Sequence, residues 1–398
     1  VRAEAAGAEP ALASPGPGIR AFAASDAAEV AALFRRTFMR ERWVAQPALA
    51  AAFRDIFLTD RYGCTQNGSL VFAEGDGRIT GFVGVVPTLF HLGDRIINVA
   101  VVGSLMVEDH QGNPLKGARL VRAVATGGYD LVLSETANGV SRRMWDRIGS
   151  RSVPGYSLDY IKVLHPGRFA LDVVRRRHAL ARIATPLAHG LDALTARFRP
   201  APAACDPHYA EADVTAPEAA DLVARLTAGR SMRPAFDLTT LTRRVSHGSV
   251  KRGYGDYVAR AVTHRGLAVG IYIYHVYKNR FAYVQQLLAE PKHMEETVVR
   301  LVADAYARGA VALKGRAEPA AMTALGMQQC FFAQRASMIA HTAQPELMLP
   351  LLSGDAFATG FAGETWMQLI GDSFCSNVLE DYLLNTEPSV AQLTIHKQ

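Results

Sequence analysis

The sequence predicts an α/β fold built from two successive units, each opening with helices and closing on a mixed sheet. Three observations carry the prediction. At 398 residues the chain exceeds what one ordinary hydrophobic core holds. The apolar pattern changes from helical spacing to strand-like alternation near residue 69 and again near residue 257. The same order of elements can also be written over both halves.

Ser25 can cap a helix running to about Arg40, because Ala27, Val30, Leu33 and Phe34 recur at helical spacing. A second helix fits Pro47–Leu58. Ser69–Glu74, Ile79–Val86 and Ile96–Val107 then read as antiparallel strands joined at Gly75-Asp76-Gly77 and Gly93-Asp94. A polar loop at His110–Gly117 leads to a helix at Ala118–Thr126, a strand at Tyr129–Ser134, a helix at Gly139–Ile148 and a strand at Tyr156–Leu164. The second half repeats the order. Helices fit Pro217–Ala228 and Leu238–Val245, strands fit Tyr257–Thr263, Ala268–Val276 and Phe281–Leu288, and a helix fits Met294–Arg308. A strand at Val311–Lys314, a helix at Pro319–Leu325 and a strand at Phe332–His341 complete it. The expected division is a leader over 1–18, a first unit over 19–167, a helical linker over 168–207, a second unit over 208–345 and an extension over 346–398.

Hydrophobic residues at 49% and charged residues at 20% exclude wholesale disorder. No apolar run reaches the roughly 20 residues that span a bilayer as a helix. The net charge of +6 is concentrated, since residues 168–199 hold seven arginines against two aspartates. A broad nucleic-acid-binding surface is therefore not expected. That stretch reads as a solvated amphipathic helix between the units, or as a weak contact for anionic headgroups or an acidic partner. Cys64, Cys205, Cys330 and Cys375 lie far apart with no CxxC pair, which suits a reducing cytoplasm and neither zinc nor a disulfide framework. The first 18 residues lack the apolar segment of a secretory signal. His275 and His293 have no partner at metal-ligand spacing, so no metal is expected.

The chemically informative stretch is SLMVEDHQGNPLKGARLVRAV, a strand entering a helix through a polar loop. The first N–H groups of such a helix lack intrahelical acceptors, and the helix dipole places partial positive charge there. Gly112, Asn113, Pro114, Leu115, Lys116, Gly117 and Ala118 thus form a candidate phosphate cradle, with Lys116 as counter-charge. GxxxxGK[ST] and GxGxxG are both absent, which excludes a P-loop and a Rossmann fingerprint. Glu108, Asp109 and His110 at the strand end, and Glu135 at the end of the next parallel strand, are candidate proton acceptors.

The element order around this loop resembles the GNAT family of acyl-coenzyme A-dependent acetyltransferases. Val107 matches the hydrophobic position of the family motif V-x-P-x-x-[RQ]-G-x-G-x-[GA], Gly117 its last glycine, and Leu120 the leucine that packs the helix. TANGVSRRMWDRIGSRSV is similar to the family's N-x-x-a-x-x-l-Y-x-x-x-G-F segment, with Asn138 on the Asn and Gly149 on the Gly. Gly112 stands at the usual Arg/Gln, Asn113 and Leu115 at two usual glycines, and Trp145 where the family commonly has the tyrosine that protonates the leaving thiolate. An indole N–H donates a hydrogen bond but is no acid near pH 7. The resemblance covers about residues 19–165 and more weakly 208–342. It implies an acyl-CoA-dependent N-acyltransferase, by preference an N-acetyltransferase, acting on a primary amine of a small molecule or amino sugar. Acetyl-CoA or another acyl-CoA is the implied co-substrate. The backbone of Leu105, Met106 and Val107 would orient it, and Asn138 and Trp145 would lie beside it. The second unit is a degenerate copy, since AEPKHMEETVV lacks a junction glycine and carries Glu290, Glu295 and Glu296. Two alternatives follow from the same likeness: an aminoacyl transferase of the peptidoglycan-bridge type, and a non-catalytic CoA-binding module. ETWMQLIGDSF resembles a segment that follows the second domain in some tandem acyltransferases.

Overall fold

Long apolar strands flanked by amphipathic helices on both faces bury themselves as stacked layers, and the chain does this twice. The computed structural model describes residues 18–38, 46–108, 113–175, 190, 192, 206–277 and 280–369. The first sheet has the order β1 (Ile19–Ala21), β2 (Leu70–Ala73), β3 (Ile79–Leu92), β4 (Arg95–Val107), β5 (Leu131–Ala137), β15 (Ser337–His341) and β6 (Arg151–Ser152), with β9 (Met232–Pro234) paired to β3. The second has the order β14 (Phe331–Ala333), β7 (Asp159–Val163), β13 (Ala312–Arg316), β12 (Phe281–Ala289), β11 (Leu267–Val276), β10 (Asp256–His264) and β8 (Tyr209–Asp213). Each sheet is an antiparallel meander with one parallel step, β4 to β5 in the first and β12 to β13 in the second. The repeated element order is thus a repeated topology.

One feature of the exchange between halves has no counterpart in the sequence pattern. The strand at Asp159–Val163 pairs with β13 and β14 of the second sheet, and the strand at Ser337–His341 pairs with β5 and β6 of the first. Each sheet is completed by a strand from the other half. Alternation of side chains defines a strand's two faces but not the sheet edge it joins, so this pairing is a tertiary outcome.

Ten helices lie among the described residues: α1 (Ala27–Phe38), α2 (Gln46–Phe57), α3 (Pro114–Ala125), α4 (Gly139–Asp146), α5 (Pro166–Arg175), α6 (Ala216–Thr227), α7 (Leu238–Gly248), α8 (Met294–Ala307), α9 (Met322–Met327) and α10 (Leu349–Ser353). The largest core lies between the sheets. It joins Phe82, Val101 and Leu133 of the first sheet to Ile271, Ile273 and Leu288 of the second, with α1, α2, α6 and α7 around them. α3 and α4 cover the outer face of the first sheet through Leu120, Val124 and Trp145. α8 covers the outer face of the second through Val298 and Leu301. Gly84 on β3 is where α2 comes closest: a Cβ there would stand 2.5 Å from the Phe57 ring.

Two expectations are corrected. α3 starts at Pro114 rather than Ala118, with proline at the first helical position, where its missing N–H costs nothing. Residues 114–117 are therefore helix and not loop, while Ala118 is helical as expected. β5 runs to Ala137, so Glu135 lies within the strand and not at its end. Of the expected linker, α5 is described together with Gly190 and Asp192, whose carboxylate accepts from the Gly167 and Arg168 N–H groups at 2.6 and 3.2 Å. The basic run at 176–182, residues 1–17 of the expected leader, Cys205, Cys375 and everything after Leu369 lie outside the described residues. Cys64 and Cys330 are buried free thiols, and burial raises both to about 11. Among the described residues no helix is long and apolar enough to cross a membrane.

Candidate active site

β4 and β5 are paired in parallel from Val99↔Leu131 to Val102↔Ser134, and there the pairing stops. β4 continues to Val107 and β5 to Ala137, so the two strands part and leave a wedge between them. A bulge sits at the point of parting. Gly84↔Gly103 and Phe82↔Met106 are partners, so Ser104 and Leu105 together oppose Val83. Ser104 takes a φ of +53°, a left-handed value that aims a strand residue out of the regular ladder. Successive strand residues direct their backbone groups to opposite flanks. The Glu108 N–H donates to the Thr80 carbonyl at 2.8 Å on the β3 side. By that alternation Leu105 and Val107 present theirs to the open flank, while Met106 faces its partner strand.

The wedge holds a cleft of about 160 Å³. Ser104 and Leu105 form one wall, Ser134 and Thr136 the other, and Phe34 and Phe38 of α1 close one side. Asn138, Ser141 and Trp145 form the floor beside α4. Asn138 is the α4 cap: its Oδ1 accepts from the Val140 and Ser141 N–H groups at 3.0 and 2.9 Å. Trp145 is buried within the apolar cluster under the sheet.

The remaining wall comes from far along the chain. After the second sheet the chain returns between the layers, and Glu364, Gln368 and Leu369 line the cleft. Two carboxylates lock this strap to β5. Glu364 accepts from the Glu135 N–H at 3.0 Å and from the Ser134 and Thr136 hydroxyls. Glu135 in turn accepts from the Glu364 and Thr365 N–H groups at 2.8 and 3.1 Å, and from the Thr365 hydroxyl at 2.6 Å. Gly363 permits the approach, since a Cβ there would stand 2.3 Å from Glu135 Oε2. Arg316 lies 4.0 Å from the Glu135 carboxylate. Burial first, and then the Glu135 charge, push the Glu364 carboxyl up to about 7.

The same strap meets the second sheet where β12 and β13 part. Phe361 donates its N–H to Gln286 Oε1 at 3.1 Å, and Gln286 Nε2 and the Thr359 hydroxyl both donate to Glu318 Oε1. All three side chains are buried. The second wedge is therefore occupied by the protein's own chain, whereas the first is open.

The predicted residues fall into separate places. Leu105, Asn138 and Trp145 line the cleft, and Val107 continues its open flank. Met106 turns into the central core. Glu108 is at the end of β4, held by Arg36 at 3.1 Å and Arg78 at 2.6 Å, outside the cleft lining. Glu135 is behind the wall in the clamp, with Glu364 between it and the open space. At the α3 N-terminus the Asn113 side chain makes no cap, and Leu115 is exposed. Lys116 is not an available counter-charge: its ammonium is bonded to Glu74 and sits over the Phe72 ring. Gly117 makes room for a neighbouring helix, because a Cβ would meet Met144 at 2.9 Å. Asp109, His110 and Gly112 lie outside the described residues. His275 is buried against the Gly248 carbonyl at 2.9 Å, and burial lowers it to about 4.

Glu364, Thr136, Phe34 and Phe38 carry no functional expectation from the sequence, where Phe34 counts only toward the helical spacing of α1. The available signal was the ETWMQLIGDSF segment, whose first residue is Glu364.

No family model and no curated protein sequence matches the chain. Solved structures do match. A GCN5-related N-acetyltransferase from Anabaena variabilis ATCC 29413 superposes with a TM-score of 0.54 at 7% identity, over 82% of this chain and 73% of that one. A conserved protein of unknown function from Enterococcus faecalis V583, a probable N-acyltransferase, gives 0.52 at 10% identity over 83% and 74%. The chain thus has the GNAT fold over most of its length.

Proposed function

We propose that this protein is an acyl-CoA-dependent N-acyltransferase that acylates a primary amine of a small molecule or amino sugar in the β4/β5 cleft. One observation carries the reading: a bulged strand parts from its parallel neighbour and leads into a helix whose N-terminus has no side-chain cap. The open flank at Leu105 and Val107 supplies backbone donors and acceptors for an extended amide-containing chain. The first N–H groups of α3, which have no intrahelical acceptor, suit a pyrophosphate. Acyl-CoA supplies an activated acyl carbonyl there. The protein's own groups hold that chain, polarise the carbonyl from the strand backbone and keep the cleft floor dry with Trp145. Because Lys116 is paired with Glu74, the backbone and not a lysine is the anion receptor.

Leu115→Asp is the sharper test than any change at Gly117, where a side chain would disturb the α3–α4 packing. Leu115 is 67% exposed in the first turn of α3, so an aspartate there leaves folding intact and favours the helix dipole. It sets a carboxylate against an incoming phosphate. Calorimetry should show acetyl-CoA affinity reduced by about tenfold or more, roughly 1.4 kcal/mol. The equivalent change at exposed Lys292, ahead of α8 in the second unit, should leave affinity within about threefold. Unchanged affinity in Leu115→Asp removes the reading.

A further inference from the structure

We infer that Glu364, delivered to the cleft by the strap that follows the second sheet, is the proton acceptor for the incoming amine, with Glu135 as the residue that positions it. The inference rests on the N-acyltransferase reading. Its basis is geometric. Among the described residues lining the cleft, Glu364 is the one carboxylate. Each carboxylate oxygen has two acceptor directions: Oε2 takes the bonds from Ser134 and Glu135, and Oε1 takes the one from Thr136, which leaves Oε1 capacity for a further donor. Charged groups reach its surroundings from three further places among the described residues: Lys251 donates to the Gln368 carbonyl of the strap, and Glu318 and Arg316 lie beyond Glu135. Glu135 lies on β5 and Arg316 on β13, while α1 presents Phe34 and Phe38 and α4 presents Asn138, Ser141 and Trp145. A carboxyl raised to about 7 by this setting is matched to exchanging a proton near neutrality.

An ammonium gives one proton to the Glu364 carboxylate, which frees the nitrogen lone pair. The nitrogen attacks the acyl carbonyl carbon, and the C–N bond forms as the C–S bond breaks. The second nitrogen proton goes to the departing sulfur, directly or through water, leaving an amide and a thiol. Glu364 then returns its proton to solvent.

The test measures acetyl-CoA binding by calorimetry and thiol release with 2-phenylethylamine, L-lysine and glucosamine as acceptors, across pH 5.5 to 9. Glu364→Gln should bind acetyl-CoA within about threefold of wild type. Its kcat should fall by about 100-fold or more and lose the acid limb of the profile near pH 7. Glu364→Asp should recover part of the rate. Glu135→Gln removes the neighbouring charge while keeping the shape, so its acid limb should move to lower pH, which a purely structural role would not do. Melting temperatures at pH 6 confirm that each variant is folded. Wild type that binds no acetyl-CoA overturns the acyltransferase reading itself. Wild type that binds it but acylates none of the amines overturns the inference, and so does a Glu364→Gln protein that retains rate and pH profile.

Discussion

Glu364 and Arg244 show how strongly single buried groups in this molecule depend on where they sit. The Arg244 guanidinium is buried, and among the described residues no carboxylate stands within ion-pair distance of it. It donates to the Tyr62 carbonyl at 2.8 and 2.6 Å and to Phe361 at 2.7 Å, and stacks on Phe236 and Trp366. Burial lowers it to about 9. It thereby fastens α7 to the strap and to the turn after α2. Glu364 shapes the pH dependence of stability. Its folded value lies above the unfolded one, so the protonated form favours the native state. That contribution is complete below the ordinary 4.5 and is lost as pH rises to about 7, on the order of 3 kcal/mol. Glu364→Gln should therefore melt higher than wild type at pH 8 and nearly equal to it at pH 5, as read by calorimetric scans. His247 acts with the opposite sign: burial depresses it to about 3, so its contribution is present above 6.5 and lost toward acid.

At the scale of elements, the site is made by a strand that leaves its ladder. The β4 bulge and the parting of β5 depend on α2 and the strap packing close on either side. Gly84 is the narrow point on the α2 side. Gly84→Ala would press a methyl into the Phe57 ring, an overpacking that should cost about 1–3 kcal/mol. Urea unfolding would measure it, and a loss below about 0.5 kcal/mol would mean that α2 shifts freely. Much of this scale was legible in sequence. Alternation located the meander strands, and Asn138 and Pro114 have the residue types that helix starts require. The bulge was not legible, because Gly103-Ser104-Leu105 has no pattern that separates a bulge from a regular strand. Lys116 misled for a related reason: one turn of helix decides whether its ammonium faces the loop or Glu74, and the start of α3 lies four residues earlier than the pattern placed it.

At the scale of the molecule, the two halves are interlocked. β7 and β15 are exchanged, and the strap fills the second wedge before completing the first. Neither half can satisfy its sheet alone, because each would lose a strand paired on both sides. Expressed separately, 1–190 and 191–398 should each lack a cooperative thermal transition. Expressed together they should copurify and melt as one unit. A half that unfolds cooperatively by itself near the melting temperature of the whole chain would contradict the interlock. The open first wedge and the filled second one also give the repeat its division of labour: one copy keeps a cleft and the other anchors the chain that finishes it.

By itself the sequence determined the class of fold, the repeat and the strand-to-helix junction beside the cleft, because local periodicity and helix-end chemistry are properties of neighbouring residues. Tertiary structure alone decided which sheet each last strand joins, that Glu135 lies behind the wall, and that Glu364 stands on it. Those facts depend on contacts between residues 135 and 364. Such pairings are set by which buried polar groups can satisfy one another once the layers have closed, and no local pattern encodes that.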